Sequence, residues 1–336
     1  MGRWAAAAAG HPCEALSVVG LPRIAPMLAV PGALPSPARE HLYAVETKYD
    51  GMRTVVYAPG DGTLVLRSRA GLDATAAYPE LHPLADALAG MPAVLDGEIV
   101  VFDEQGRPDF GRLQTRMGLA SSPAKAARLA ATTPVHLILF DALHVNGRSL
   151  LTHAYTDRRA VLEDLALAAP RWSTPASVTG HAREAFEATR AHGLEGIICK
   201  LLRAPYEPGV RSAAWLKVKH LQLADCVIGG WVPGRGALAG RPGALLLGEP
   251  QDSGGLRYVG SVGTGFTDRD RTVLARLLAV AAIDICPFTA APAVPGARWV
   301  LPRLVAEIRY ATRTRAGLLR HPSFHRLRPD LAPENL

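Results

Sequence analysis

Lysine is nearly missing from this chain. Against 32 arginines there are five lysines, Lys48, Lys125, Lys200, Lys217 and Lys219. The abundance of Ala, Gly, Pro and Arg points to biased codon usage rather than selection for guanidinium chemistry. A lysine that survives such a bias is a candidate for work that arginine cannot do. A guanidinium stays protonated, whereas a desolvated ammonium beside other cations can lose its proton and attack. The reference lysine pKa is about 10.4, so a neutral amine near pH 7 needs help from its site.

Cysteine is scarce too. Cys13, Cys199, Cys226 and Cys286 are scattered, with no zinc-ligand spacing and no disulfide framework, which is the pattern of a reducing cytoplasm. No apolar run reaches the roughly 18 residues that span a bilayer, so no membrane partner is expected. The alanine run after Trp4 is too short for a signal peptide and is interrupted by His11 and Pro12. Residues 1–21 read as a flexible N-terminal extension.

The 336 residues allow two domains, and 49% apolar content makes them globular. The net charge of +7 permits an anionic partner. Arg303, Arg309, Arg313, Arg315, Arg320, Arg326 and Arg328 crowd the C-terminal end, with Glu307 as the opposing charge in that stretch, and suggest a phosphate-contacting surface.

The periodicity predicts a strand and its continuation over residues 41–60, a turn at Pro59–Gly62 and a return strand to Arg69. Residues 78–90 read as helix and Ala93–Phe102 as a strand. A helix follows at about 123–131, a strand at His136–Val145, and helices at about 156–168 and 181–192. Strands return at Gly196–Leu201 and Trp215–His220. This is a mixed, mostly antiparallel α+β domain over residues 22–221. At Leu221–Asp225 the texture changes. Residues 222–336 carry short glycine-broken strands, one helix from Asp268 and a last strand at Val305–Thr312, consistent with a small OB-type β-barrel.

Several short patterns carry chemistry. Lys48-Tyr49-Asp50-Gly51 with Arg53 sets a lysine at a strand end beside a carboxylate. Arg69-Ala70-Gly71 lies on the return strand. Glu98 follows Asp96-Gly97, and Phe140-Asp141 puts an aromatic where a core residue is usual. Strand alternation gives Glu195, Ile197 and Cys199 one face, and gives Lys217 and Lys219 another. Two lysines on one face repel unless an anion lies between them.

The ordered series Lys-x-Asp-Gly-x-Arg, Ser-Arg-x-Gly, Asp-Gly-Glu, Phe-Asp, Glu-Gly-x-x-x-Lys and Leu-Lys-x-Lys resembles the covalent nucleotidyltransferases, specifically the ATP-dependent DNA ligases. Pro26-Met27-Leu28-Ala29, Tyr206-x-Pro-Gly-x-Arg-Ser and Arg320-His321-Pro322-Ser323-Phe324 resemble the bacterial end-joining branch and its stand-alone relatives. The likeness runs over residues 22–331.

The resemblance implies a nucleotidyltransferase domain followed by an OB-fold, with ATP and Mg²⁺ or Mn²⁺ as cofactors. Lys48 would attack the α-phosphate. Glu46 would lie at the adenine edge and Phe140 would stack on the ring, while Arg53 and Glu98 would approach the ribose. Asp50 belongs to the nucleotide-binding set. Arg69 would bind the 5′-phosphate of the break, and Glu98 and Glu195 the metal. Lys200 would support the nucleotide, and Lys217 with Lys219 would hold the α-phosphate. The last motif, Arg328-Pro329-Asp330, would reach the β- and γ-phosphates when the second domain closes, but Leu331 stands where the family has lysine. The implied partners are duplex DNA with nicks or ends, and separate end-binding or polymerase proteins, in a cytoplasmic, nucleoid-associated setting. The rivals are an RNA ligase or capping-type nucleotidyltransferase, and a catalytically weak DNA-binding module.

Overall fold

A computed structural model describes residues 17–252, 254–314 and 316–336. Residues 1–16 of the expected extension, including Cys13, and Arg315 of the basic tail lie outside the described residues. The end of that extension is built into the fold. Ser17–Val18 pairs with Leu21–Pro22, and Val18 and Leu21 are buried in the core.

The chain divides into two compact units, Met1–Lys219 and His220–Leu336. Besides the Ser17–Val18/Leu21–Pro22 pair, the described residues of the first form two larger sheets. One runs Trp172–Ser173, His136–Val145, Ala93–Val100, Met52–Ala58, Val65–Ser68 in spatial order, with Arg148–Ser149 beside the second of these. The other runs Val178–Thr179, Tyr43–Thr47, Gly196–Leu201, Arg211–Lys219, Leu28–Pro31. Pairing is antiparallel except for Trp172–Ser173 on His136–Val145 and Arg211–Lys219 on Leu28–Pro31.

The expected continuous strand over 41–60 is two strands in different sheets. The chain crosses between them at Lys48–Gly51, which sets Lys48 at the crossing. Gly51 makes the crossing possible, since a Cβ there would lie 2.3 Å from the Ile99 carbonyl oxygen. The expected helix over 78–90 is broken into the 3₁₀ turn Pro79–Leu81 and the single turn Leu84–Ala87. Pro79 and Pro83 lack the N–H groups that a longer helix would use.

Strand alternation sorts the cores. In the first sheet Val56, Leu95, Ile99, Leu137 and Leu139 pack under the helical layer, while Val55, Tyr57 and Val94 turn the other way, with Met27, Tyr206 and Trp215. In the second sheet Val45, Ile197, Cys199 and Val218 pack on Phe186 of the helix Ala182–Ala191. Their neighbours Ile198, Lys200, Trp215 and Lys217 therefore take the opposite face.

The second unit is a seven-stranded antiparallel sheet. Its spine is the 12-residue strand Gln222–Pro233, which pairs with Pro242–Pro250, Arg298–Val300 and Val305–Tyr310. Ser323–Leu327 extends it at Val305–Tyr310. The helix Asp268–Val280 starts at a Thr267/Asp270 capping box and buries Leu274 and Leu278 against the sheet core.

Candidate active site

The first unit holds a cavity of about 600 Å³. Lys48, Arg53, Arg69, Glu98, Phe140, Lys200 and Lys217 all line it. Seven positions from six motifs are thus brought together. Glu46, Asp50, Glu195 and Lys219 are not among the lining residues, and Arg328 and Asp330 belong to the other unit.

Lys48 Nζ lies 2.5 Å from Glu195 Oε2, and Lys219 Nζ lies 2.5 Å from Glu195 Oε1. Glu195 is thus the anion between Lys48 and Lys219, whereas Lys217, the other lysine of that strand face, is not paired with it. Burial pushes its carboxyl upward, but Lys48 and Lys219 outweigh that and hold it below the usual glutamate range. Alternation had placed Glu195 with Ile197 and Cys199, and this needs correction. Its carboxylate meets Lys219, while Ile197 and Cys199 pack on the opposite, helix-covered face. The pleat breaks at Gly196, whose φ is +142° and where a Cβ would lie 2.1 Å from the Val218 carbonyl oxygen. The Glu-Gly pair is therefore a single device that redirects the carboxylate.

Glu46 has partners of its own. It is buried, and its carboxylate accepts from Lys200 Nζ at 2.7 Å and from the Tyr155 hydroxyl at 2.5 Å. Lys200 is buried and needs that counterion. Burial lowers its pKa and Glu46 with Asp141 only partly restores it. Lys200 Nζ sits 4.6 Å from the Phe140 ring centroid and 4.5 Å from that of Trp215. In the Phe-Asp pair only Phe140 reaches the cavity. Asp141 is fully buried and accepts from Arg158 Nε at 2.8 Å and Nη2 at 2.9 Å.

Three cations on the wall, Arg69, Arg211 and Lys217, make no ion pair among the described residues. Burial, then the charges of Arg211, Lys219, Lys48 and Arg69, push the Lys217 pKa down. A multiply charged anion would relieve that repulsion. Arg211, Trp215 and an apolar wall that includes Tyr78, Phe110 and Met117 were not foreseen as site residues. Trp215 was findable, since it shares a face with Lys217. Phe110 and Met117 lie in a polar connector with no periodic signal.

Glu98 makes no ion pair among the described residues, and burial, opposed by Arg53 and Lys48, raises its pKa to about 7. The described residues contain no cluster of three or more potential metal ligands. Mg²⁺ does not need one, because it commonly takes one or two carboxylates and completes its shell with phosphates and water. A partly buried, unpaired carboxylate on a cationic cavity fits that use. Without metal the shift carries a stability cost. Between about pH 4.5 and about 7 folded Glu98 keeps a proton that the unfolded chain has lost, so stability falls as pH rises and stays reduced above that range. Glu98→Gln in metal-free buffer should therefore melt a few degrees above the parent at pH 8 and level with it near pH 4.5. Equal offsets at both pH values in thermal melts would contradict this.

In the second unit the arginine-rich stretch is less free than its sequence suggests. Arg313 pairs with Glu249 at 2.5 Å and Arg326 with Glu307 at 3.1 Å. Arg328 meets Asp225 at 3.0 Å, Glu307 at 3.2 Å and Asp330 at 2.8 Å. Carboxylates distant in sequence, Asp225 and Glu249, neutralise much of what looked unopposed.

Residues 26–219 match the ATP dependent DNA ligase domain family, and residues 239–331 match the ATP dependent DNA ligase C terminal region. The chain is 40% identical over 316 residues to the multifunctional non-homologous end joining DNA repair protein LigD of Mycobacterium tuberculosis H37Rv, covering 93% of this chain and 39% of that one. It is 36% identical over 301 residues to a probable DNA ligase of Streptomyces avermitilis, covering 86% of this chain and 56% of that one. The solved ligase domain of M. tuberculosis LigD superposes with a TM-score of 0.53 at 40% identity, covering 93% of this chain and 97% of that domain. A structure of mycobacterial DNA ligase D complexed with ATP and MES gives a TM-score of 0.54 at 40% identity. This chain thus spans about two-fifths of the length of LigD, and on its matched domains it belongs to the ATP-dependent DNA ligases.

Proposed function

We propose that this chain seals 5′-phosphate/3′-hydroxyl breaks in duplex DNA through a lysyl-AMP intermediate on Lys48. The Lys48 amine attacks the α-phosphorus of ATP, a P–N bond forms, the bond to the bridging oxygen breaks, and pyrophosphate leaves. AMP then passes to the 5′-phosphate at the break. The 3′-hydroxyl attacks that phosphate, forms the phosphodiester and expels AMP. What carries this reading is a lysine on a cavity that it shares with the unpaired cations Arg69 and Lys217 and the unpaired carboxylate Glu98.

Each residue has a task. Glu195 holds Lys48 at the crossing between the sheets, and Lys217 and Arg69 offset charge on phosphate oxygens. Phe140 offers its ring to adenine, and Glu46 serves by anchoring Lys200. Glu98 and Glu195 would hold Mg²⁺, which as a Lewis acid offsets charge developing on the phosphates. In the second unit, Arg328 and Asp330 act on the leaving pyrophosphate. We assign that unit to the OB type on the strength of its 12-residue spine strand, which pairs with three others, and the one α-helix among its described residues. The pathway is DNA end repair in the cytoplasm, at the nucleoid, alongside separate end-binding and polymerase activities. The names of the LigD relatives support the end-joining repair part of this assignment.

The test is a sealing assay with ATP and Mg²⁺ on a nicked DNA duplex and on the same nick in all-RNA strands. We expect sealed DNA with one AMP and one pyrophosphate per joint, and much slower joining of RNA. Binding to the nicked DNA should also weaken steeply with salt. Preferential sealing of RNA would overturn the assignment to DNA.

A further inference from the structure

Two segments that mark the end-joining branch, Pro26–Ala29 and Tyr206–Ser212, have no task in the mechanism above. They meet beneath the cavity in a closed ring of hydrogen bonds. The Met27 amide donates to the Tyr206 hydroxyl at 2.8 Å. That hydroxyl donates to Asp96 Oδ2 at 2.5 Å. Asp96 also accepts from Arg53 Nε and Nη2, each at 2.6 Å. Arg53 Nη2 returns to the Met27 carbonyl at 3.2 Å, which closes the circuit.

The ring determines which edge of Arg53 is available. Nε and Nη2 are committed to Asp96 and Met27, whereas Nη1 makes no hydrogen bond among the described residues, and Arg53 lines the cavity. The guanidinium is also stacked, with its central carbon 4.5 Å from the Phe140 centroid and 5.5 Å from that of Trp215. Asp96 is fully buried, so its charge depends on these donors. A bidentate pair fixes the plane of the fork. The tyrosine hydroxyl fixes the carboxylate, and the Met27 amide fixes the hydroxyl.

We propose that Tyr206 is a positioning residue for nucleotide binding, which through Asp96 locks Arg53 with its Nη1 edge turned to the nucleotide. This rests on the ligase reading, in which the cavity takes ATP. Tyr206 does not line the cavity, and its ring keeps the edge contact with Trp215 in Tyr206→Phe, so the effect of the hydroxyl on ATP passes through Asp96 and Arg53. A tyrosine that merely supports the fold would weaken ATP binding whatever stands at position 53.

The experiment is a double-mutant cycle read by calorimetric ATP affinity in a Lys48→Ala background, where no chemistry occurs. Tyr206→Phe should weaken ATP about fivefold to tenfold, less than the full worth of a hydrogen bond to a charged group because the loss reaches the nucleotide only through Arg53. In the Arg53→Lys background the same change should add less than about twofold, because lysine lacks the fork that the ring orients. Asp96→Asn, which keeps the volume and loses the charge, should behave as Tyr206→Phe does and replaces it if that variant fails to fold. Equal weakening with and without Arg53, or no weakening with Arg53 present, overturns the proposal. Because binding is read without catalysis, failure of the parent protein to form lysyl-AMP would count against the ligase reading alone.

Discussion

Lys48→Arg is expected to abolish the covalent AMP adduct as completely as Lys48→Ala. Arginine keeps the charge and can still approach Glu195, so the ion pair and the local fold survive. It offers no amine that can lose a proton and form a P–N bond. A loss of more than about a thousandfold in lysyl-AMP formation fits removal of a nucleophile, where loss of a supporting contact costs far less. Denaturing gels after incubation with α-labelled ATP measure this directly. Any adduct persisting in Lys48→Arg would assign the nucleophile elsewhere.

The second large effect is expected at Glu195. Its two oxygens each lie 2.5 Å from an ammonium, Lys48 on one side and Lys219 on the other. Removing it does two things. Lys48 loses the contact that fixes its direction at the chain crossing, and two neighbouring cations lose the charge between them. Misplacing a nucleophile by about 1 Å can cost on the order of a hundredfold. Glu195→Ala should therefore slow lysyl-AMP formation at least about a hundredfold and raise the Mg²⁺ needed for half-maximal rate, because a proposed metal ligand is lost as well. Glu98→Ala should raise the Mg²⁺ requirement with a smaller loss of rate at saturating metal, since Glu98 does not hold Lys48. Titrations of rate against Mg²⁺ separate the two. If both variants kept the parent's metal dependence, these glutamates would be structural strand residues.

Much of the site was legible because its chemistry sits on strands, where alternation fixes which side chains share a face. Lys217 and Lys219 were placed on one face, and Glu195 supplies an anion to Lys219 and Lys48 but not to Lys217. Three things escaped. A chain crossing between sheets looks like an uninterrupted strand, so the turn that sets Lys48 between the sheets was read as continuous. Gly196 breaks the pleat at one residue, and a period of two carried straight through it gave Glu195 the wrong face. Long-range pairs leave no local pattern. Nothing near Arg328 announces Asp225, and nothing near Arg53 announces Tyr206. For the same reason nothing near Glu46 announces its carboxylate's pairing with Lys200.

The measurement that bears most directly on the whole account is a single turnover by the isolated adduct. The protein is labelled with α-labelled ATP and Mg²⁺, freed of nucleotide by gel filtration, digested in part to locate the label, and otherwise mixed with nicked DNA in ATP-free buffer. The account predicts that the label resides on the peptide containing Lys48, passes to the 5′-phosphate of the nick, and is released as AMP as one joint forms per labelled protein. A label on another peptide, or a Lys48 adduct that stays on the protein in the presence of nicked DNA, would contradict it.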